Sequence, residues 1–492
     1  MEIPNVLVIG AGIGGIAVAA NLARRGCRVT VVEKNDQPGG RCSRLMKDGH
    51  YFDVGPTLFV MPEVYFNAFS DLGERIEDYL DLRRIDPTYH LFFDDGTTLA
   101  LTSDLRTMHS QLESFEAGSF QKFLCYLDEG CRHYQLSLPR LVDRDFRSLL
   151  EYIHPKNLPL FIHLKALANH YPNVGRYFRD PRLKAAFTFQ DMYCGLSPYE
   201  AVATFSLLSY IEIVDGVWFP MGGMYSVVEA LKRIAENRGC QFLFNTAVKR
   251  IDIEDTRAKG VTLEDGQRLE ADVIVANADL PYVYLSLLPD TGLAARMKKK
   301  RYSCSTISFF WGIDKTYAQL APHNLFLSDD YKENFDSIIK DLTMPENPSI
   351  YVHAPARIDP SRAPAGQDSI IAIVPVGHLD EGSGQDWDEI RNRARQAVFH
   401  HLTQIGIRDL DRHLKFEICV APQDWQRRFN LIRGATHGLS HTRTQMFYFR
   451  PRNRHHRYRN LFFVGASTHP GTGIPCVLIS ARLAAERILQ DR

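Results

Sequence analysis

The sequence predicts an α/β fold: a Rossmann-like domain assembled from discontinuous stretches of chain, plus a mixed α+β second domain with a helical part that could contact a membrane. Three observations predict it. A strand, glycine-rich turn, helix and second strand fill the first 33 residues, strand-like segments recur between residues 241 and 276, and a Gly/Pro-rich turn precedes a final helix. At 492 residues the chain exceeds what one hydrophobic core usually supports, so two domains are expected.

Asn5-Val-Leu-Val-Ile-Gly10 is a short apolar run rich in β-branched residues, which reads as a buried strand. Ile16 to Arg25 reads as a helix ended by Gly26, and Cys27 to Glu33 as the next strand. Gly10-x-Gly12-x-x-Gly15 falls at the strand-to-helix turn. The first Gly permits the tight turn, the second lets backbone approach a pyrophosphate, and the third allows close helix packing. Phosphates would sit on the helix N-terminus, where free N–H groups and the dipole favour anions. Glu33 is placed to accept a hydrogen bond from a ribose 2′-OH. With strand, helix, strand and acid in register, the motif has the context of a dinucleotide site. FAD rather than NAD is expected from Pro38-Gly39-Gly40-Arg41 and Phe52-Asp53-Val54-Gly55-Pro56-Thr57, whose glycines let backbone pass close to a second phosphate or ribityl chain beside a fixed cation.

These residues resemble the flavin amine oxidase superfamily and, within it, the bacterial and fungal phytoene (carotenoid) desaturases. The likeness covers the N-terminal sixty residues, the stretch from Trp218-Phe-Pro-Met-Gly222-Gly223 to Leu231, and the closing motif Asn460-Leu-Phe-Phe-Val-Gly465-Ala-Ser-Thr-His469-Pro470-Gly471-Thr-Gly473-Ile474-Pro475. The resemblance implies that Val248 touches the adenine end through its backbone, that Gly465 lies near the pyrophosphate, and that Gly473 and Ile474 begin a helix aimed at the flavin ring. A positive helix end there would stabilise charge on the reduced flavin. It also implies hydride abstraction to FAD and proton loss from a phytoene- or diapophytoene-class precursor. Ser467 and Cys476 stand where bacterial members often carry Gly, which leaves the substrate length open. The expected FAD-binding segments are residues 1–75, 225–285 and 456–492; residues 76–224 and 286–455 are the expected substrate domain.

Lys plus Arg and Asp plus Glu balance at 58 each, so no global charge points to nucleic acid. The nine Cys lack CxxC pairs or metal-ligand spacing, which fits a reducing cytoplasm and no metal site. No run of about 18 uncharged apolar residues occurs, and the N-terminus carries no secretory-signal pattern. The expected location is therefore cytoplasmic, with peripheral membrane association. The apolar and basic stretch from Leu149 to Tyr171 has two readings: core helices broken at Pro155 and Pro159, or a surface patch dipping into a bilayer with Lys156, Lys165 and His163 at headgroup level. From Arg427 to Arg459 the chain carries nine Arg, four His and no acid, read as cofactor-proximal or lipid-facing.

Dehydrogenating an allylic CH2–CH2 unit needs a hydride acceptor, a route for the second proton and a dry channel. Aromatic and aliphatic side chains should line that channel, since a polyene offers no polar handle. Proton loss from an allylic cation is easy, so a strong general base is not required; no His/carboxylate constellation demands one, and no catalytic residue is assigned. His469 is either functional or structural, and Asp191 and Tyr193 have no readable role. With one GxGxxG on the chain, O2 or a membrane quinone is the expected electron acceptor. Competing readings are a terminal-methyl carotenoid oxidase, an amine oxidase and a non-redox prenyl-binding protein of the same fold. The intact glycines and Glu33 oppose the last, and the lack of aromatic-cage dipeptides opposes an amine substrate.

Overall fold

The computed structural model describes residues 3–380, 382 and 384–491. Strand β1 (Asn5–Ile9) is the centre of a parallel five-stranded sheet with β2 (Arg28–Val32), β3 (Gln241–Leu243), β4 (Val273–Ala276) and β5 (Leu461–Phe463), ordered β5-β4-β1-β2-β3. Three distant stretches of chain thus meet in one sheet. Both faces are covered, which is why β1 and β4 are continuous apolar runs rather than alternating ones.

On one face, helix α1 (Ile13–Arg24) packs between α2 (Tyr225–Asn237) and α3 (Ile474–Gln490). Its run Ile-Gly-Gly-Ile-Ala-Val-Ala-Ala is buried throughout, and its small residues let both neighbours approach. A Cβ on Gly15 would lie 2.1 Å from the Gly10 carbonyl oxygen, so only glycine permits this contact between turn and helix. Helix α1 begins at Ile13 rather than Ile16, because the glycines after Gly12 already take helical geometry. On the other face lies the antiparallel meander Val248–Glu254, Arg257–Leu263, Arg268–Glu270. Val248, Ile251, Val261, Leu287 and Met297 pack there against Leu7, Ile9 and Ile274.

A second, mixed sheet has seven strands in the order Leu414–Val420, Ser305–Ile313, Asp368–Val376, Ile350–His353, His323–Leu327, Tyr89–Phe93, Thr98–Leu101. The parallel pairing of Tyr89–Phe93 with His323–Leu327 joins the early and late parts of the chain. One apolar cluster sets Ile390, Ala394, Val398 and Leu402, spaced along helix Trp387–Gln404, against Phe309 and Trp311. Another joins Leu91, Phe123, Phe187 and Tyr331.

The stretch after Leu149 is not a pair of core helices. Pro155 and Pro159 open short helical turns, Pro155–Asn157 and Leu158–His163, instead of breaking longer ones. Tyr152, Leu160 and Leu164 anchor the segment inward, whereas Leu150, Leu158, Ile162 and Leu167 are 76%, 61%, 66% and 89% exposed. Lys165 does not face outward as expected: its ammonium pairs with the buried Glu129 carboxylate and donates to Asn173 Oδ1 at 2.8 Å. Among the described residues no helix is long and apolar enough to cross a membrane.

Candidate active site

A cavity of about 680 Å³ lies at the C-terminal ends of β1, β2 and β4, where an α/β sheet ordinarily receives its ligand. The volume falls within the range of small-molecule sites. Of the residues read from the sequence, Gly10, Gly12, Glu33, Gly40, Arg41, Gly55, Val248, Gly465, Gly473 and Ile474 all line it. Gly15 does not line it; its place is the helix contact described above.

The N-terminus of α1 faces this cavity with Gly12 as its cap and no side-chain hydrogen bond to the first turn. Gly39 N donates to the Ala11 carbonyl at 2.8 Å, which holds the Pro38-Gly39-Gly40-Arg41 turn against the α1 entry. Glu33 is 7% exposed, and its carboxylate already accepts from Ala11 N at 2.8 Å and from Asn35 N and Nδ2 at 2.9 Å. A carboxylate has about four acceptor sites. One therefore remains for a ribose hydroxyl. The Arg41 guanidinium donates to the Thr436 carbonyl at 2.7 Å. Burial pulls its pKa down, and the Asp279 carboxylate opposes that shift. Asp279 is itself pushed up by burial, against the hydrogen bond it accepts from Ser467 Oγ at 2.6 Å. His437, also on the wall, is driven down to about 4 by burial and by Arg41, so it is neutral at physiological pH.

At the other end of the chain, Gly473 holds φ +93°, a conformation that favours glycine, and α3 starts at the next residue with Pro475 in its first turn. No side chain caps this helix either. The turn is fastened from behind by Arg450, 1% exposed, whose five N–H donors reach the carbonyls of Leu439, Ser440, Gln445, Ala466 and Thr468. His469 does not line the cavity; its backbone N donates to the Pro451 carbonyl at 2.8 Å, and its ring lies edge-on to Phe146.

The family pattern for flavin containing amine oxidoreductase matches residues 13–489. The chain belongs to that family. It is 43% identical over 487 residues to the zeta-carotene-forming phytoene desaturase of Myxococcus xanthus, covering 99% of this chain and 94% of that protein. It is 41% identical over 510 residues to the phytoene desaturase of Fusarium fujikuroi, covering 99% and 89%. A putrescine oxidase variant of known structure shares the fold, with a TM-score of 0.65 at 14% identity and 99% of each chain covered. The protein is thus an FAD-dependent oxidoreductase of the carotenoid desaturase type.

The residues present fit FAD. Two uncapped helix N-termini, α1 and α3, open on one cavity with a cation and a ribose-level carboxylate between them, which suits a dinucleotide at one end and an electron-accepting ring at the other. Another part of the wall is rich in aromatic residues, Tyr89, Phe189, Tyr193, Tyr331, Phe335 and Tyr351 among them.

Several of these residues were not read from the sequence. Asn277, just beyond β4, donates to the Val464 carbonyl at 3.0 Å and joins the end of β4 to the closing motif; its position at a strand's C-terminal end was the available signal. Asp279 and His437 carried none. One His/carboxylate pair does exist: Asp191 accepts from His170 at 2.8 Å, fully buried, with Tyr126 on the other ring nitrogen at 2.9 Å. Neither His170 nor Asp191 lines the cavity, so that triad belongs to the helical core. Tyr193 does line it, and its hydroxyl meets Glu212.

Proposed function

We propose that this protein desaturates a long apolar carotenoid precursor of the phytoene class, drawn from a membrane to which it binds peripherally. The observation that carries the reading is a single cavity lined by both the glycine-rich segments around Gly12, Gly40 and Gly473 and the aromatic residues Tyr89, Phe189, Tyr193, Tyr331, Phe335 and Tyr351. Bound FAD supplies the hydride acceptor. The cradle segments hold it: Gly10, Gly12 and Gly465 at the pyrophosphate, Glu33 at the ribose, Val248 at the adenine, Gly40, Arg41 and Gly55 along the phosphate and ribityl chain, and Gly473 and Ile474 at the ring. The aromatic walls exclude water and press the polyene into one plane, so reactive geometry comes from fit rather than from polar handles. Electrons leave to O2 or a membrane quinone. The FAD-binding unit takes residues 1–75, 225–285 and 456–492, and the substrate domain the remainder.

Membrane binding is supported by the exposed Leu149, Leu150, Ile153, Leu158, Ile162, Leu167 and Phe449, a concentration of apolar surface rare on soluble monomers. Exposed Arg147, Lys156, Arg443 and Arg452 accompany it, and Arg443 donates to the Leu167 carbonyl at 2.9 Å. That arrangement suits acyl chains flanked by anionic headgroups.

The test is expression in hosts that accumulate phytoene or, separately, diapophytoene, followed by pigment analysis. Coloured products with additional conjugated double bonds in the phytoene host are expected. FAD-loaded protein with a colourless extract from both hosts would refute the desaturation, and colour in the diapophytoene host alone would shorten the substrate.

A further inference from the structure

Behind the cavity wall lies a carboxylate that the cofactor cradle does not use. Glu212, in the helical turn Ile211–Asp215, is 2% exposed. Its Oε1 accepts from the Tyr193 hydroxyl at 2.6 Å and its Oε2 from Gln190 Nε2 at 2.9 Å. The Tyr193 hydroxyl also meets that of Tyr89, and both tyrosines line the cavity. We infer that Tyr193 and Glu212 form a proton relay that removes the second hydrogen of the substrate. The inference rests on the desaturase reading above.

Among the described residues this is a carboxylate joined to the chamber wall by a single hydroxyl, and no cation offsets it. Arg84 reaches the same turn, but its guanidinium is held by the Ile213 and Val214 carbonyls. On helix Ser119–Ser137, packed against the turn, Glu129 is engaged by Lys165, Asn173 and Tyr177, and His133 by Ser206 and the His163 carbonyl. Tyr134 and Tyr210 lie toward Asp215. The neighbouring strand Val217–Pro220 carries no titratable side chain. Burial therefore dominates and lifts Glu212 to about 7, against the hydrogen bonds from Tyr193 and Gln190. Tyr193 is held well above the ordinary phenol value by burial and by Glu212, so it remains a neutral donor.

One C–H bond of the CH2–CH2 unit breaks with its electron pair passing to FAD. The adjacent C–H bond breaks with its electrons forming the new C=C bond and its proton bonding to the Tyr193 oxygen. The former Tyr193 proton moves to Glu212 Oε1. Reversal of the relay to water, admitted after product leaves, resets both groups. Tyr193 meets the substrate; Glu212 acts through it.

The experiment is anaerobic single-turnover flavin reduction by vesicle-borne phytoene across pH 5.5–8.5, with infrared titration of buried carboxyl groups. Bleaching of the wild-type flavin with formation of coloured polyene tests the desaturase reading; failure there would sink that reading before the relay is reached. For the relay, the wild-type rate should rise with pH and level off above about 7, because the ionised carboxylate is the competent form. Glu212→Gln and Tyr193→Phe should keep their FAD, slow by about 100-fold or more and lose the pH slope, whereas Glu212→Asp should retain the slope. A protonated-carboxyl band that titrates near neutrality in the wild type should vanish in Glu212→Gln. Should Glu212→Gln fail to hold FAD, Tyr193→Phe decides alone, since it keeps the ring. A Tyr193→Phe protein with the wild-type rate and pH profile overturns the proposal.

Discussion

Replacing Arg450 tests how the closing turn is held. All five of its N–H donors are spent on backbone carbonyls from Leu439 to Thr468, and burial brings its pKa down to about 10, so it remains charged at neutral pH. Hydrogen bonds to a charged group contribute about 1.5–3 kcal/mol each, roughly 10 kcal/mol for five. Relieving the guanidinium of burial returns several kcal/mol, so Arg450→Met should cost about 5 kcal/mol net. An unfolding entropy of about 1 kcal/mol/K for a chain of this length converts that into a melting-temperature drop of about 5 °C. Arg450→Lys, with three donors, should fall about halfway. Flavin fluorescence and circular dichroism melts on purified protein give both numbers, together with the FAD:protein ratio, which should fall in the same order. An Arg450→Met protein that melts within about 1 °C of wild type with full flavin would refute the reasoning, because five orphaned carbonyls cannot be free of cost.

Gly12→Val should yield flavin-poor protein, because the new Cβ would lie 2.6 Å from Asn277 Oδ1 on the cavity wall; the absorbance ratio of flavin to protein measures it. Glu33→Arg should do the same by removing the acceptor for Ala11 N and the ribose, and full occupancy would count against the cofactor assignment. Gly473→Asp imposes about 1–3 kcal/mol of backbone strain and sets a negative charge at the mouth of α3. At about 5 Å and an effective dielectric of about 20, that charge opposes the reduced flavin by about 3 kcal/mol, so flavin-loaded mutant should show a lowered reduction potential. Leu150→Asp with Ile162→Asp should weaken co-sedimentation with anionic vesicles about 100-fold, the value of roughly 3 kcal/mol of lost apolar burial, without changing the melting temperature; unchanged co-sedimentation would move the membrane contact elsewhere.

What the sequence revealed follows from the range of each interaction. The strand and turn around Gly10, Gly12 and Gly15 are written within a few residues, since backbone approach to a phosphate constrains consecutive positions. The meander from Val248 to Glu270 and the α3 turn at Gly473 are local in the same sense, so their places in the chain were readable. The face of a side chain in a short irregular segment is not local. Lys156 and Lys165 look alike in sequence, yet one is exposed and the other reaches Glu129, 36 residues away. Nine Arg in one run likewise hide Arg450, which is buried and reaches the Ala466 and Thr468 carbonyls of the closing motif, while Arg452 two positions on lies at the surface.

The proton route was hidden for a related reason. Tyr89, Gln190, Tyr193 and Glu212 converge from a strand and two irregular helical turns, and none has a spacing that marks it. Expecting a carbocation to lose its proton unaided is sound for the intrinsic chemistry, but it leaves open where the proton goes in a chamber built to exclude water. The hydroxyl groups on the wall cannot keep a proton, and a proton left beside the polyene would favour return. A buried carboxylate poised near neutrality solves both problems at once, since it lies behind the chamber wall and is joined to it by the Tyr193 hydroxyl. The same apolar surroundings that hold the polyene raise Glu212 into the working range, so substrate fit and proton affinity come from one set of residues.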